Sequence, residues 1–164
     1  MDNNKTEHID PEFRRELTQQ PGGEICSACL MCRACTASCP VTKVNNSFNP
    51  FRIIRLALLG LRKEILTSDF IWLCSNCYAC QERCPQGVNI PEFITNCKNV
   101  ALKEGYAPSG KIAQMNVIKG EGRIYPIDEF DNKKRNKFGL PPLPTSCEVT
   151  KRLLYEEKSS EGNS

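Results

Sequence analysis

Eight cysteines fall into two copies of one pattern, C-x2-C-x2-C-x3-C-P. The first copy is Cys29, Cys32, Cys35, Cys39 and Pro40; the second is Cys74, Cys77, Cys80, Cys84 and Pro85, each residue displaced by 45 positions. This is the bacterial-type run for a cubane iron–sulfur cluster, in which the fourth cysteine serves the other cluster. Thiolates with two residues between them can wrap three corners of one cube from a tight loop, and the fourth, after a longer step, points towards a neighbour. The proline then breaks the chain and removes a backbone donor where the next segment turns. The spacing predicts one [4Fe-4S] cluster on Cys29, Cys32, Cys35 and Cys84 and a second on Cys74, Cys77, Cys80 and Cys39. Clusters so linked lie close enough to exchange electrons.

Three further cysteines stand outside the repeat. Cys26 forms an alternative triplet with Cys29 and Cys32, but only the register starting at Cys29 reproduces the x3 step and the proline, so Cys26 reads as a spare thiol beside a cluster. Cys97 and Cys147 have no cysteine near them in sequence and read as small buried hydrophobes. Zinc is the competing metal. Its frameworks pair two C-x2-C knuckles across a longer loop and do not call for the four-cysteine run or its proline. Disulfides between cysteines this close in one turn do not meet the required geometry. Charge agrees with anionic clusters: residues 26–84 hold Arg33, Lys43, Arg52, Arg55, Arg62, Lys63 and Arg83 against only Glu64, Asp69 and Glu82. Two oxidised all-cysteine cubanes bring on the order of four negative charges, close to that local excess. Arg33 and Arg83, inside the motifs, are the candidates to tune cluster potential, and Trp72 and Tyr78 read as packing and shielding.

The rest of the composition bounds the answer. The chain has 164 residues, room for one compact domain with tails or two very small ones, and its net charge of +3 is too mild for a nucleic-acid binder. Residues 1–8 are polar, without the apolar stretch of a signal peptide, and the longest charge-free run, residues 70–81, is twelve residues, against roughly 20 for a membrane span. A cytoplasmic chain with no transmembrane segment is expected, its cysteines reduced or ligated.

The elements that must hold the cysteines are helical. Residues 1–23 read as an N-terminal arm with one short helix at 11–18, ending in the breaker run Pro21-Gly22-Gly23. Asn49-Pro50 starts an amphipathic helix whose Phe51, Ile54, Leu58, Leu61 and Ile65 recur at offsets of three and four. Residues 67–69 could cap a stretch leading into the second motif, and a helix from Pro91 stops near Gly105. Beyond Gly120 the pattern decays, with a basic loop at 133–137, a proline-rich run at 141–144, a short helix at 149–157 and disorder from 158. A β-rich ferredoxin would bracket its motifs with strands; here the 34 residues between Cys39 and Cys74 contain a helix, so a helical domain with two clusters between helices is expected.

Together these residues resemble a known family. Cys29-Leu30-Met31-Cys32-Arg33-Ala34-Cys35-Thr36-Ala37-Ser38-Cys39-Pro40, then Asn49-Pro50-Phe51-Arg52-Ile53-Ile54-Arg55-Leu56-Ala57-Leu58-Leu59-Gly60, then Trp72-Leu73-Cys74-Ser75-Asn76-Cys77-Tyr78-Ala79-Cys80-Gln81-Glu82-Arg83-Cys84-Pro85 are similar to the C subunit of heterodisulfide reductase. The resemblance covers about residues 24–105. It implies the all-α, α-helical ferredoxin fold, with the eight repeat cysteines as ligands of two [4Fe-4S] clusters. It also implies a relay of electrons between two partners of that enzyme: the A subunit, which carries flavin and iron–sulfur centres, and the Cys-Cys-rich B subunit, which reduces a disulfide such as that of coenzyme M and coenzyme B. On this reading the chain is divided into an arm (1–23), a two-cluster domain (24–105) and a partner-contacting extension (106–164). It is a subunit of an oxidoreductase with no catalytic site of its own.

Absences in the sequence agree with that division of labour. The chain has no Cys-Cys pair and no glycine-rich dinucleotide fingerprint, and its one histidine is His8. Other uses of the same clusters remain open: a sulfur-oxidising relative of the reductase, or the iron–sulfur subunit of a quinone-linked dehydrogenase. The succinate type of the latter adds a plant-type cluster domain, for which the 28 residues before Cys29 are too few. A metal-stapled interaction module without redox role is the reading from a different class.

Overall fold

The computed structural model describes residues 9–160, with side chains as far as residue 154. His8 and residues 161–164 lie outside the described residues; of the disorder expected from 158, residues 158–160 are instead the end of a helix. All regular structure among the described residues is helical, and the chain divides into two compact units between Ala107 and Pro108.

In the first unit, α1 (Pro11–Thr18) starts where the Asp10 carboxylate accepts from the backbone N–H groups of Glu12 and Phe13, with proline at the first helical position. The segment expected to be an arm is instead part of the core: Phe13 and Leu17 are completely buried. Their spacing of four places both on one face, a signal too short to separate from chance in a polar stretch.

The motifs occupy matching positions. The loop of the first runs into α2 (Ala34–Ser38) and the loop of the second into α6 (Ala79–Glu82), and these two short helices pack against each other. A further short helix, α3 (Pro40–Val44), follows the first motif with its proline at the first turn. Next comes α4 (Pro50–Leu58), capped by the Asn49 side chain accepting from Arg52 N–H. The same Asn49 oxygen accepts from the Thr36 hydroxyl at 2.8 Å, tying the first motif to the start of α4.

The long amphipathic helix expected through Ile65 is two helices, α4 and α5 (Arg62–Leu66). Gly60 ends α4 at φ +74°, and Leu61 N–H reaches back to Leu56 C=O, the six-to-one bond of a Schellman stop. The close fit also demands glycine: a Cβ there would lie 2.4 Å from the Asp10 carbonyl oxygen, whose own N–H donates to Gly60 C=O at 2.8 Å. The apolar offsets run straight through the break, which is why periodicity alone reads one helix. Of the expected face, Ile54, Leu61 and Ile65 are buried and Phe51 and Leu58 half-buried, while Ile53 and Ala57 are buried beside them.

A 3-10 turn (Phe70–Leu73), without the side-chain cap expected from 67–69, leads into the second motif, and α7 (Ile90–Lys103) closes the unit. It contributes Phe93, Ile94, Cys97 and Ala101 to a core shared with Phe13, Phe48, Ile53, Ile65 and Ile71. Arg62 ties the ends together: its guanidinium pairs with Glu16 at 2.8 Å, Asp10 at 3.4 Å and Glu104, and lies over the Phe13 ring.

The second unit holds α8 (Ser109–Glu121), α9 (Glu129–Lys137) and α10 (Glu148–Ser160), with α8 packed on α10. The basic run 133–137 is therefore helical, not a loop. A capping box between Asp128 and Asp131 starts α9, and the cations gather in its last turn, where the helix dipole favours them. Asn132 exchanges two hydrogen bonds with the backbone of Leu143, and Arg135 Nε donates to Pro141 C=O, so the proline-rich run lies along α9.

Candidate functional site: two cysteine-lined cavities

The loops of the two motifs have the same backbone. Cys29 sits at φ −59°, ψ 116° and Cys74 at φ −61°, ψ 121°. Met31 and Arg33 in the first loop are left-handed, at φ 57° and 63°; Asn76 and Tyr78 in the second match them at 51° and 60°. These are the only non-glycine residues with positive φ among those described. Each such residue costs about 1–2 kcal/mol, so a sequence keeps four of them only where the surroundings demand that path. Alternating handedness of this kind builds the backbone nests that hold anions, iron–sulfur centres included.

Each loop borders a cavity. Cavity 1 is lined by Cys29, Cys32 and Cys35 of the first motif and by Cys84 of the second, with Arg33, Phe51, Ile54 and Val88 completing its wall. Cavity 2 is lined by Cys74, Cys77 and Cys80 of the second motif and by Cys39 of the first, with Phe48, Tyr78 and Ile94 around them. The structure thus brings the eight repeat cysteines together in two sets of four, each made of three neighbours and one cysteine from the other repeat. The exchange follows from the packing of α2 on α6, which sets the end of each motif beside the loop of the other.

The chemistry of the donors suits an iron–sulfur core, whose positive charge the four thiolates would outweigh. Burial holds the Cys35 thiol above its ordinary range and pushes Cys80 up to about 12, so iron in place of the proton compensates the cost of a buried thiolate. Val88 N–H points at Cys84 Sγ at 3.3 Å, the kind of N–H to sulfur contact that would tune the potential of a cluster bound there. Lys98 Nζ donates to the Cys74 carbonyl oxygen at 3.2 Å and brings a positive charge beside cavity 2.

Residues singled out in sequence separate clearly. Arg33 lines cavity 1 and lies over the Phe51 ring at 5.1 Å, while Arg83 is exposed and lines neither cavity. Tyr78 lines cavity 2, with its hydroxyl 3.4 Å from Glu92; Trp72 is half-buried outside both linings. Cys26 is fully buried and lines neither cavity, and burial pushes its thiol up to about 12, with Cys29 and Cys84 adding to the effect. Cys97 is buried in α7, as expected. Cys147 is not: it is half-buried, with the Thr150 hydroxyl donating to its sulfur at 3.3 Å.

Two loops of matched backbone, each opening on four thiols between helices, define an iron–sulfur protein of the helical ferredoxin class. Residues 24–88 match the 4Fe-4S dicluster domain family. Over 160 residues the chain is 36% identical to the iron-sulfur C subunit of the CoB–CoM heterodisulfide reductase of Methanopyrus kandleri, covering 93% of this chain and 82% of the relative. It is 37% identical to the C subunit of the H(2):CoB-CoM heterodisulfide,ferredoxin reductase of Methanothermobacter thermautotrophicus, over 91% of this chain and 80% of that one. The C subunit of the ferredoxin:CoB-CoM heterodisulfide reductase of Methanosarcina mazei matches at 34%, over 80% and 81%. The chain belongs to the family of heterodisulfide reductase C subunits, which are iron–sulfur electron-transfer components of an oxidoreductase complex. Among the described residues no helix is long and apolar enough to cross a membrane.

Proposed function

We propose that this chain relays electrons, in the cytoplasm, between the flavin-containing A subunit of a heterodisulfide reductase-like complex and its disulfide-reducing B subunit. Cys29, Cys32, Cys35 and Cys84 would hold one [4Fe-4S] cluster and Cys74, Cys77, Cys80 and Cys39 the other. Bound there, the clusters supply one-electron transfer. The chain's own part is to fix two thiolate sets in neighbouring cavities, screen them with Phe48, Phe51, Ile54 and Ile94, and set their surroundings through Arg33, Val88 N–H and Lys98. The observation that carries this reading is the exchange of one cysteine between the two cavities, which makes the two sites a single folded pair.

The test is chemical and spectroscopic. Anaerobically purified chain should contain about eight iron and about eight acid-labile sulfide atoms; zinc in their place would overturn the relay. In the reduced protein, Cys84→Ser should remove the same electron paramagnetic resonance component as Cys32→Ser and leave the one that Cys77→Ser removes. The reverse pairing would show that each motif holds its own cluster. Co-purification from native cells with a flavoprotein and a Cys-Cys-rich protein tests the partners, and recovery with a quinone-reactive membrane protein instead would reassign the reaction.

A further inference from the structure

A groove of about 270 Å³ shares a wall with cavity 1. Cys29, Phe51 and Ile54 line both, and the groove continues over Met31, Leu58 and Leu59 on the far side. A second hollow of about 460 Å³ runs along α1 from Pro11 to Thr18 and shares Arg14, Ser27, Leu58 and Leu59 with it. Met31 is 50% exposed and Leu59 47%, with Leu30 and Ile25 also exposed close by in sequence. Isolated exposed leucines need no explanation; an apolar strip that runs to a redox-site cysteine does.

The charges on this strip have one sign. Arg14, Arg15 and Arg55 line the two hollows, and no Lys, Asp or Glu does. Arg15 is neutralised by Glu12 at 2.6 Å. Arg14 reaches only the Ser27 hydroxyl, at 3.4 Å, and the Arg55 guanidinium rests on the Met31 sulfur, a weak neutral acceptor. Neither has a carboxylate partner among the described residues. Arginine, methionine and aromatic residues without lysine or carboxylates are the composition of the centre of a protein–protein interface. Two unpaired guanidiniums specify carboxylates on the other side.

We infer that this groove docks an acidic segment of a redox partner, with an apolar side chain seated over Met31 and Leu59 and carboxylates on Arg14 and Arg55, which makes cavity 1 the end of the relay facing that partner. The inference rests on the relay reading and adds which face is used and what chemistry recognises it. Cys26, fully buried and outside the lining of both hollows, takes no part in docking.

The test uses the full chain carrying its clusters and the separately purified A and B subunits. In Arg14→Glu/Arg55→Glu, and separately in Leu59→Glu, affinity for the subunit that docks here falls by about tenfold or more, and the double variant loses the salt sensitivity of the parent. A photocrosslinking side chain at position 59 joins to a peptide of that subunit in which Asp or Glu neighbours an apolar residue. Iron and sulfide contents at parental values in the variants separate docking from cluster assembly; should Arg55→Glu disturb them through Met31, Leu59→Glu decides alone. Unchanged affinity in Leu59→Glu, or a crosslink to a basic segment or to a second copy of this chain, overturns the inference and leaves the relay intact. A parent chain that binds neither subunit overturns the relay and the docking together.

Discussion

The two units of this chain are held by different forces. The first buries whole aromatic and branched side chains: Phe13, Phe48, Phe93, Ile53, Ile65 and Ile71 are at most 1% exposed. The second buries no side chain of α8 or α9 and leaves Phe138 80% and Phe130 62% exposed. Its helices rest on caps, on the pairing of Asn132 with Leu143, and on Gly122, where a Cβ would meet the Cys147 carbonyl oxygen at 2.2 Å. Local hydrogen bonds each contribute about 1 kcal/mol net, whereas one fully buried phenylalanine contributes about 2–3 kcal/mol. Cluster sites need a rigid frame, and the first unit has the core to supply it. The second, with its aromatic side chains left at the surface, does not.

Thiol labelling tests that contrast with the largest effect. The Thr150 hydroxyl holds the Cys147 thiol below its ordinary range, while burial holds Cys97 well above it. A lowered thiol is more ionised at any given pH, so near pH 7.5 iodoacetamide should modify Cys147 at least about a thousandfold faster than Cys97, which reacts only through opening of the core. Equal rates, read by mass spectrometry, would mean that the first unit has no stable core.

Truncations come next. Phe93→Ala should destabilise the cluster-loaded chain by about 3–5 kcal/mol, and Phe138→Ala should stay within about 0.5 kcal/mol, both by denaturant titration. A large cost at Phe138 would show that the second unit has a core after all. The smallest effect belongs to the helix break: Gly60→Ala should cost about 2 kcal/mol, from the left-handed backbone and the approach of Asp10. The same substitution at Gly139, also left-handed but with open space around it, should cost about 1 kcal/mol. Equal costs would remove the Asp10 contact from the explanation.

Much of the candidate site was legible before folding because the grouping of its thiols is written in short spacings. Cys29 and Cys74 start runs whose internal distances a tight loop satisfies locally, and Asn49-Pro50 marks its helix start by a cap that needs only neighbouring residues. The Gly60 stop was equally local, yet masked by apolar offsets that continue beyond it. The capping box at Asp128 and Asp131 was masked by a polar stretch with no apolar face to announce a helix.

By itself, then, the amino-acid order determined the chemical class of the protein: eight thiols in two matched runs, helices between them, and the fold of an iron–sulfur relay. Tertiary structure decided the rest. Phe13 and Leu17 become core because α1 closes over α4 and α7, contacts between residues too far apart for any local pattern to record. The groove exists because the same closure sets Arg14 and Ser27 beside Met31, Arg55 and Leu59. The second unit is left open because its apolar residues, spaced for no single helix face, have too little of one another to bury.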